Sequence, residues 1–295
     1  MPITSAPSPA NGSAEHPLRL GFSPCPNDCV VFHALVHDPN LTDLRFEVVL
    51  DDVEALNTMA AAGELDVAKV SYHAAAHLLG QWALLPSGGA LGRGVGPLVV
   101  TRDELPDLTG RLVAIPGGRT TATLLLRLAA PEARVTEMRY DAIMPAVAAG
   151  EVDAGLIIHE SRFTYRDHGL RAHLDLGAWW EASTAQLIPL GAIAVRRDLP
   201  TAVQGEVARA VHASVAAAFA DPAASAAFVA EHAQEMDPEV RARHVALYVN
   251  AFTLDVGEQG RRAVDTLLTA ARRLHGLPAN DLDPFVDWRL DSVAP

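Results

Sequence analysis

The stretch GLIIHESRF, residues 155–163, runs from an apolar, strand-like segment straight into a histidine, a glutamate, a serine and an arginine. An imidazole titrates near neutrality, so His159 at a strand end inside a cleft is suited to removing a proton. It also has a structural reading, as a satisfied buried histidine, and the strand-end position is what favours chemistry. Glu160 either orients the imidazole or opens the next helix, where an acid suits the dipole. The order H-E-S-R-F lacks the second histidine of H-E-x-x-H, which excludes a zinc protease of that type.

Three further turns carry polar groups. In AKVSYHA, residues 68–74, Lys69 sits inside an apolar strand, where a cation is costly unless it is paired or faces solvent or a ligand. Ser71 at the following helix start is either an N-cap or, with nearby N–H groups, an anion holder. In PGGRTTA, residues 116–122, two glycines precede a helix whose first N–H groups, from Thr120, Thr121 and Ala122, can cradle a carboxylate. In GFSPCPNDC, residues 21–29, Asn27 or Asp28 can cap a helix, and a well-made corner needs no ligand.

Other motifs fail their chemical tests. SGGALGRGVGP, residues 87–97, holds five glycines, but their spacing is not G-x-G-x-x-G and a strand follows instead of a helix. A close-packed turn between lobes is expected, with Arg93 kept as a candidate for the cleft. No P-loop and no G-x-S-x-G nucleophile elbow occurs. Cys25 and Cys29 have no second pair, so neither zinc nor a disulfide is expected. The pairs His33/His37 and His73/His77 each share a helix face but have no visible third ligand, so no metal is expected there.

These turns need elements to position them. Strands are predicted at 18–22, 46–50, 67–70, 98–100, 112–115, 135–139, 154–158 and 193–195. Helices are predicted at about 26–37, 53–62, 71–79, 120–130 and 143–149. Such alternation argues for mostly parallel sheet with right-handed crossovers. From Thr201 the pattern turns helical, with Val207, Ala210, Val211, Val215, Ala218 and Phe219 on one face. Val264, Leu267, Leu268, Ala271 and Leu274 repeat that spacing. The expected fold class is α/β with two lobes. Residues 17–100 and 196–295 form a large lobe, residues 101–195 a small one, and a ligand cleft lies between them. Residues 1–16 are expected to be a disordered tail.

Bulk composition limits the partners. Of 295 residues, 49% are hydrophobic, and the net charge of −13 argues against a nucleic acid. No segment reaches the ~18 apolar residues of a membrane span, and the first residues lack a signal-peptide pattern. A cytoplasmic protein acting on a small molecule is expected.

Taken together, GFSPCPNDC, AKVSY, SGGALGRGVGPLVV, GEVDAGLIIHESRFTY, DLGAWWE, LIPLGAIAV and YVNAFTLDVGE resemble the 1,4-dihydroxy-6-naphthoate synthases of the futalosine route to menaquinone. Cys29 stands where that family usually has threonine. The resemblance implies a periplasmic-binding-protein-like fold (type II) used as a carbon–carbon lyase on cyclic de-hypoxanthine futalosine, a small-molecule carboxylate. It implies His159 as the base and substrate contacts from Lys69, Val70, Ser71, Thr121 and Ala122. It implies no cofactor and no metal. Asn27, Asp28, Arg93 and Glu160 stay as candidates, and monomer and homodimer both stay open. Two competing readings are a binding protein of the same architecture and a regulatory effector-binding domain. The missing export signal counts against the first, and the missing helix-turn-helix module against the second.

Overall fold

Short apolar runs separated by helix starts build two mixed sheets. The computed structural model describes residues 12–233 and 237–288. Its strands are β1 (Leu18–Phe22), β2 (Phe46–Leu50), β3 (Val67–Ser71), β4 (Trp82–Leu84), β5 (Ala90–Gly92), β6 (Leu98–Thr101), β7 (Leu112–Ile115), β8 (Arg134–Glu137), β9 (Ala154–Ile157), β10 (Arg171–Asp175) and β11 (Ile188–Arg196). The first sheet has the order β2-β1-β3-β11-β4, with β5 also paired to β11. The second has the order β10-β6-β9-β7-β8.

The expectation of mostly parallel pairing holds only in part of each sheet. β2, β1 and β3 are mutually parallel, as are β8, β7 and β9. β11 runs antiparallel to β3, β4 and β5, and β6 runs antiparallel to both its neighbours in the second sheet, β9 and β10. Strands that arrive from the other sheet escape the helical crossover that keeps neighbours parallel. Leu98–Thr101, assigned from the sequence chiefly to the large lobe, pairs within the second sheet. Ile188–Arg196, whose 193–195 core was assigned to the small lobe, pairs within the first. β4, β5 and β10 escaped the sequence reading: two span three residues, and β10 is largely exposed and polar.

The helices are α1 (Pro26–His37), α2 (Val53–Ala62), α3 (Tyr72–Leu78), α4 (Thr121–Ala129), α5 (Tyr140–Ala149), α6 (Ser161–Thr164), α7 (Leu176–Thr184), α8 (Thr201–Ala220), α9 (Ala226–His232), α10 (Pro238–Tyr248), α11 (Ala251–Leu254) and α12 (Gly257–His275). Local chemistry sets several ends. Asp52 caps α2 by accepting from the N–H groups of Glu54 and Ala55, and Gly63 stops it in the left-handed region. Phe219 and Leu274, expected on buried faces, are exposed, because each stripe outruns its packing partner near a helix end.

One apolar core joins the sheets through Leu56, Val70, Trp82, Leu124, Trp180 and Leu267. A second lies where β1 meets α1 and α8, and there Phe22 and Phe32 stack with centroids 4.5 Å apart. A third packs α5 on the second sheet through Val100, Ile143, Val147 and Ile157. Burial of each such side chain stabilises the fold by roughly 1.5–3 kcal/mol. Residues 1–11 of the expected tail lie outside the described residues. Residues 12–16 are tied down, with the N–H of Arg45 donating to the Gly12 carbonyl at 2.8 Å.

Candidate active site

β9 is fully buried along Ala154–Ile157, and the chain leaves it through a sharp turn at His159. His159 has φ 55°, in the left-handed region that non-glycine residues seldom occupy, though histidine does so more readily than most. The turn costs on the order of 1 kcal/mol and swings the imidazole across the gap between the sheets. There Cys25 Sγ, from the β1–α1 corner, lies 3.4 Å from His159 Nδ1.

His159 lines two recesses at once, together with Ser23, Val53 and Ile158. Asn27, Asp28, Lys69, Ser71, Thr121 and Ala122 contribute to the walls of the larger cleft. The smaller recess is bounded by Pro24, Cys25, Asp52, Arg139, Tyr140 and Glu160. Desolvation lowers the His159 pKa, opposed in part by the carboxylates of Glu160 and Asp28. Burial, with Glu160 and Asp28 adding to it, pushes the Cys25 thiol well up. The imidazole is therefore neutral at neutral pH and its neighbour is a thiol, not a thiolate.

The lysine on β3 is paired. Lys69 Nζ and Asp28 Oδ1 form a buried ion pair. Asp28 also accepts from Ser23 Oγ and Asn27 Nδ2, each at 2.7 Å. These bonds compensate the desolvation that a buried pair costs. Asp28 is thus a hub in the first turn of α1 and not its cap, and Cys25 holds the N-cap position. Gly191 on β11 makes room, since a Cβ there would come within 2.8 Å of Lys69 Cε.

Ser71 precedes α3 without capping it by its side chain. Its N–H donates to Asn57 Oδ1 at 2.9 Å, and its Oγ accepts from Asn57 Nδ2 at 3.3 Å. The Ser71 hydroxyl hydrogen is left for the cleft. Across from it, Thr120 caps α4 and takes no part in the cleft wall: its Oγ1 accepts from the Thr123 N–H and donates to the Gly117 carbonyl. Thr121 donates its hydroxyl to the Leu190 carbonyl at 2.7 Å, so α4 opens into the cleft with the N–H groups of Thr121 and Ala122.

A second polar layer stands behind His159. Tyr140 donates to Glu160 Oε1 at 2.7 Å. His244, on α10, places Nε2 2.8 Å from Asn27 Oδ1. Asn27 Nδ2 faces a carboxylate that only accepts, so its Oδ1 must accept from His244, which therefore carries its proton on Nε2. His244 Nδ1 then faces Glu160 Oε2 at 3.7 Å, and both atoms are buried without a hydrogen-bond partner. Burial and the charges nearby lower the His244 pKa to about 3. The His244 ring lies 6.3 Å from that of His159.

A model of one protein family, described as menaquinone biosynthesis, matches residues 18–273. The chain belongs to that family. Two curated relatives carry the name 1,4-dihydroxy-6-naphtoate synthase. The one from Thermus thermophilus is 54% identical over 91% of this chain and 98% of its own. The one from Streptomyces coelicolor is 50% identical over 89% and 95%. A solved Archaeoglobus fulgidus structure superposes with a TM-score of 0.84 at 37% identity, covering 90% of this chain and all of that one. The alkanesulfonate-binding protein of Xanthomonas axonopodis, at 18% identity and TM-score 0.68, shares the fold over 95% of this chain and 97% of its own. The architecture is the periplasmic-binding-protein-like one that the motifs implied.

For this member of the menaquinone-biosynthesis family, the cleft gathers most of the residues singled out from sequence. Val70 is an exception: its side chain is buried in the core and it does not line the cleft. Arg93 lies outside, near Glu181 and bonded to the Ala185 carbonyl. The glycine turn beside it is as tight as expected, since a Cβ on Gly177 would sit 1.9 Å from the Val95 carbonyl oxygen. Arg162, the last charge of the opening motif, clamps that turn by donating to the Gly96 carbonyl and to Asp175. Ser23, Cys25, Tyr140 and His244 were missed. Cys25 could have been found from its turn, whereas nothing in the α10 pattern marks His244. Among the described residues, no helix is long and apolar enough to cross a membrane.

Proposed function

We propose that the protein is a carbon–carbon lyase converting cyclic de-hypoxanthine futalosine to 1,4-dihydroxy-6-naphthoate, with His159 as general base. The observation that carries this reading is the neutral imidazole held in a strained turn where two recesses meet. The family and its named relatives support the reaction, and the chemistry of the walls supports the base. A substrate with a planar bicyclic part and a sugar-derived part would lie across that junction, with the bond to be broken at His159.

In this reading His159 Nδ1–H donates to the Cys25 sulfur, and Nε2 keeps its lone pair for the substrate. Nε2 takes a proton from the sugar-derived portion, a retro-aldol-like cleavage follows, and aromatisation of the bicyclic product draws the reaction forward. The N–H groups of Thr121 and Ala122, with the Ser71 hydroxyl, hold the carboxylate or the developing oxyanion. Lys69 keeps its charge on Asp28 and acts by fixing the α1 corner. The imidazolium formed at His159 lies beside the Glu160 carboxylate, which favours its charge and whose Oε2, without a hydrogen-bond partner, offers its proton a place to pass.

Purified protein incubated with the cyclic futalosine derivative should release dihydroxynaphthoate, seen by its aromatic absorbance. His159→Ala should bind substrate yet turn it over at least a thousandfold more slowly, about 4 kcal/mol of lost transition-state stabilisation. Turnover of His159→Ala at the wild-type rate would overturn the assignment of the base. Absence of product from the wild type would overturn the reaction.

A further inference from the structure

The pair His73/His77, which looked incomplete in the sequence, meets a third imidazole from the far end of the chain. α3 carries His73 and His77 one turn apart, and α12 ends at His275. His73 Nε2 and His275 Nε2 are 2.7 Å apart. The rings of His77 and His275 have centroids 5.0 Å apart, and those of His73 and His77 5.6 Å. One ring nitrogen from each histidine falls within 4.8 Å of the other two. This cluster is separate from the cleft, and none of the reaction's steps uses it.

We propose that His73, His77 and His275 form a binding site for a divalent transition cation of the zinc class. Three imidazoles around a tetrahedral ion at about 2.0–2.1 Å would place their nitrogens roughly 3.3 Å apart. His73 and His275 would part slightly and His77 would swing to meet that spacing, and His77 and His275, which are exposed, have the freedom to provide it. His73 is the fixed ligand. It is 2% exposed, and its Nδ1 lies 3.0 Å from the Thr120 carbonyl. A carbonyl only accepts, so Nδ1 carries the proton and Nε2 is bare, the tautomer that metal-bound histidines are held in by such outer contacts. His275 Nε2–H then donates to that bare Nε2 at 2.7 Å, and a bound cation would take the place of this one proton. The last turn of α12 adds the negative end of a long helix dipole.

Such a site would clip α3 to the last turn of α12. It would also fix His73, whose backbone N–H donates to Thr121 Oγ1 at 3.3 Å, at the helix start that opens into the cleft. The test is titration of the full chain with Zn²⁺ by calorimetry, and with Co²⁺ by its ligand-field spectrum. The expected result is one equivalent bound through imidazole nitrogen, with binding at least tenfold weaker in His77→Ala and in His275→Ala. His159→Ala, which alters the other imidazole cluster, should bind as the wild type does. Because His77 and His275 are at the surface, neither variant should lose the fold, and circular dichroism checks this. Zn²⁺ should raise the unfolding midpoint of the wild type and leave those of the two variants where they were. No binding by the wild type, or equal binding by His77→Ala and His275→Ala, would overturn the proposal.

Discussion

Cys25 Sγ and His159 Nδ1, 134 residues apart in the chain, meet at 3.4 Å between the two sheets. The thiol is held protonated by its surroundings, so its part is to accept or share a hydrogen and fix the imidazole's tautomer and aim. Cys25→Ala should therefore lower kcat by about tenfold, the size of one lost orienting bond, while KM changes little. Cys25→Ser, which keeps a hydrogen-bonding group, should recover much of that loss. Steady-state kinetics of the two variants check this, and a Cys25→Ala enzyme with unchanged kcat would remove the positioning role.

The Lys69–Asp28 pair makes a stability prediction with a built-in control. Asp28→Ala strands a buried ammonium and two donors, Ser23 and Asn27, and should cost about 3–5 kcal/mol, or roughly 10 °C in Tm for a chain of this size. Replacing both partners, as Asp28→Leu with Lys69→Met, should recover most of the stability without recovering activity. Thermal unfolding of the single and double variants decides it. If the double variant is no more stable than Asp28→Ala, the cost lies in packing and not in the unpaired charge.

Much of this arrangement was legible in residue types and spacing, and the rest was not, for physical reasons. His159, Ser71, Thr121 and Ala122 stand at strand-to-helix turns, where the chain announces itself through an apolar run followed by polar residues. Lys69 was legible as an anomaly, because a cation in a buried strand demands a partner, but sequence did not say that Asp28 was that partner. Ser71 and Asp28 look like caps by local pattern. Tertiary contacts to Asn57 and Lys69 claim their side chains instead. His244 was invisible, since it sits on a polar helix and acquires its role only where α10 packs on α1. The pairing of β11 with β3 was equally hidden, because antiparallel return from a second sheet leaves no periodic signal in a strand whose first eight residues are all apolar.

The buried histidines set the acid limit of stability. His244 and His73 have pKa values lowered to about 3 and about 4, below the ordinary value near 6.5 of the unfolded chain. Between those limits the unfolded state binds more protons than the folded one, so stability rises with pH there. Their contribution is fully present above about pH 6.5 and is lost as pH falls toward 4 and 3. Denaturant midpoints measured from pH 7 to pH 4 should fall, and the slope should be shallower in His244→Gln, which can still donate to Asn27. An unchanged slope in that variant would mean that His244 is not the titrating group.

Activity should show the same sign through a different residue. Since desolvation lowers the His159 pKa, kcat/KM should stay high through neutrality and fall on the acid side only below the usual imidazole range. Glu160 partly opposes that lowering, so Glu160→Gln should move the acid limb to still lower pH. The same change keeps a partner for Tyr140, which limits structural damage. A pH–rate profile of kcat/KM for wild type and Glu160→Gln measures the direction of the shift. Movement of the limb to higher pH would contradict the electrostatic role given to Glu160.

Gly191 joins the strand geometry to the chemistry and gives the most local test. It has no side chain where β11 passes Lys69, and a Cβ there would lie 2.8 Å from Lys69 Cε and 3.4 Å from the Val70 carbonyl oxygen. Its backbone is extended strand, so alanine meets no dihedral penalty and the whole effect must come from displacing the lysine. Displacing Lys69 Cε pulls on the ammonium that holds Asp28, which loosens the corner that carries Cys25. Gly191→Ala should thus lower kcat/KM by about tenfold or more while costing roughly 1–3 kcal/mol of stability, the usual penalty for overpacking. Gly191→Ala combined with Lys69→Ala, which removes the Cε that the new methyl would meet, should relieve the crowding while leaving Asp28 without its ammonium. If Gly191→Ala alone leaves both kinetics and unfolding unchanged, the lysine has room to spare and the packing argument fails.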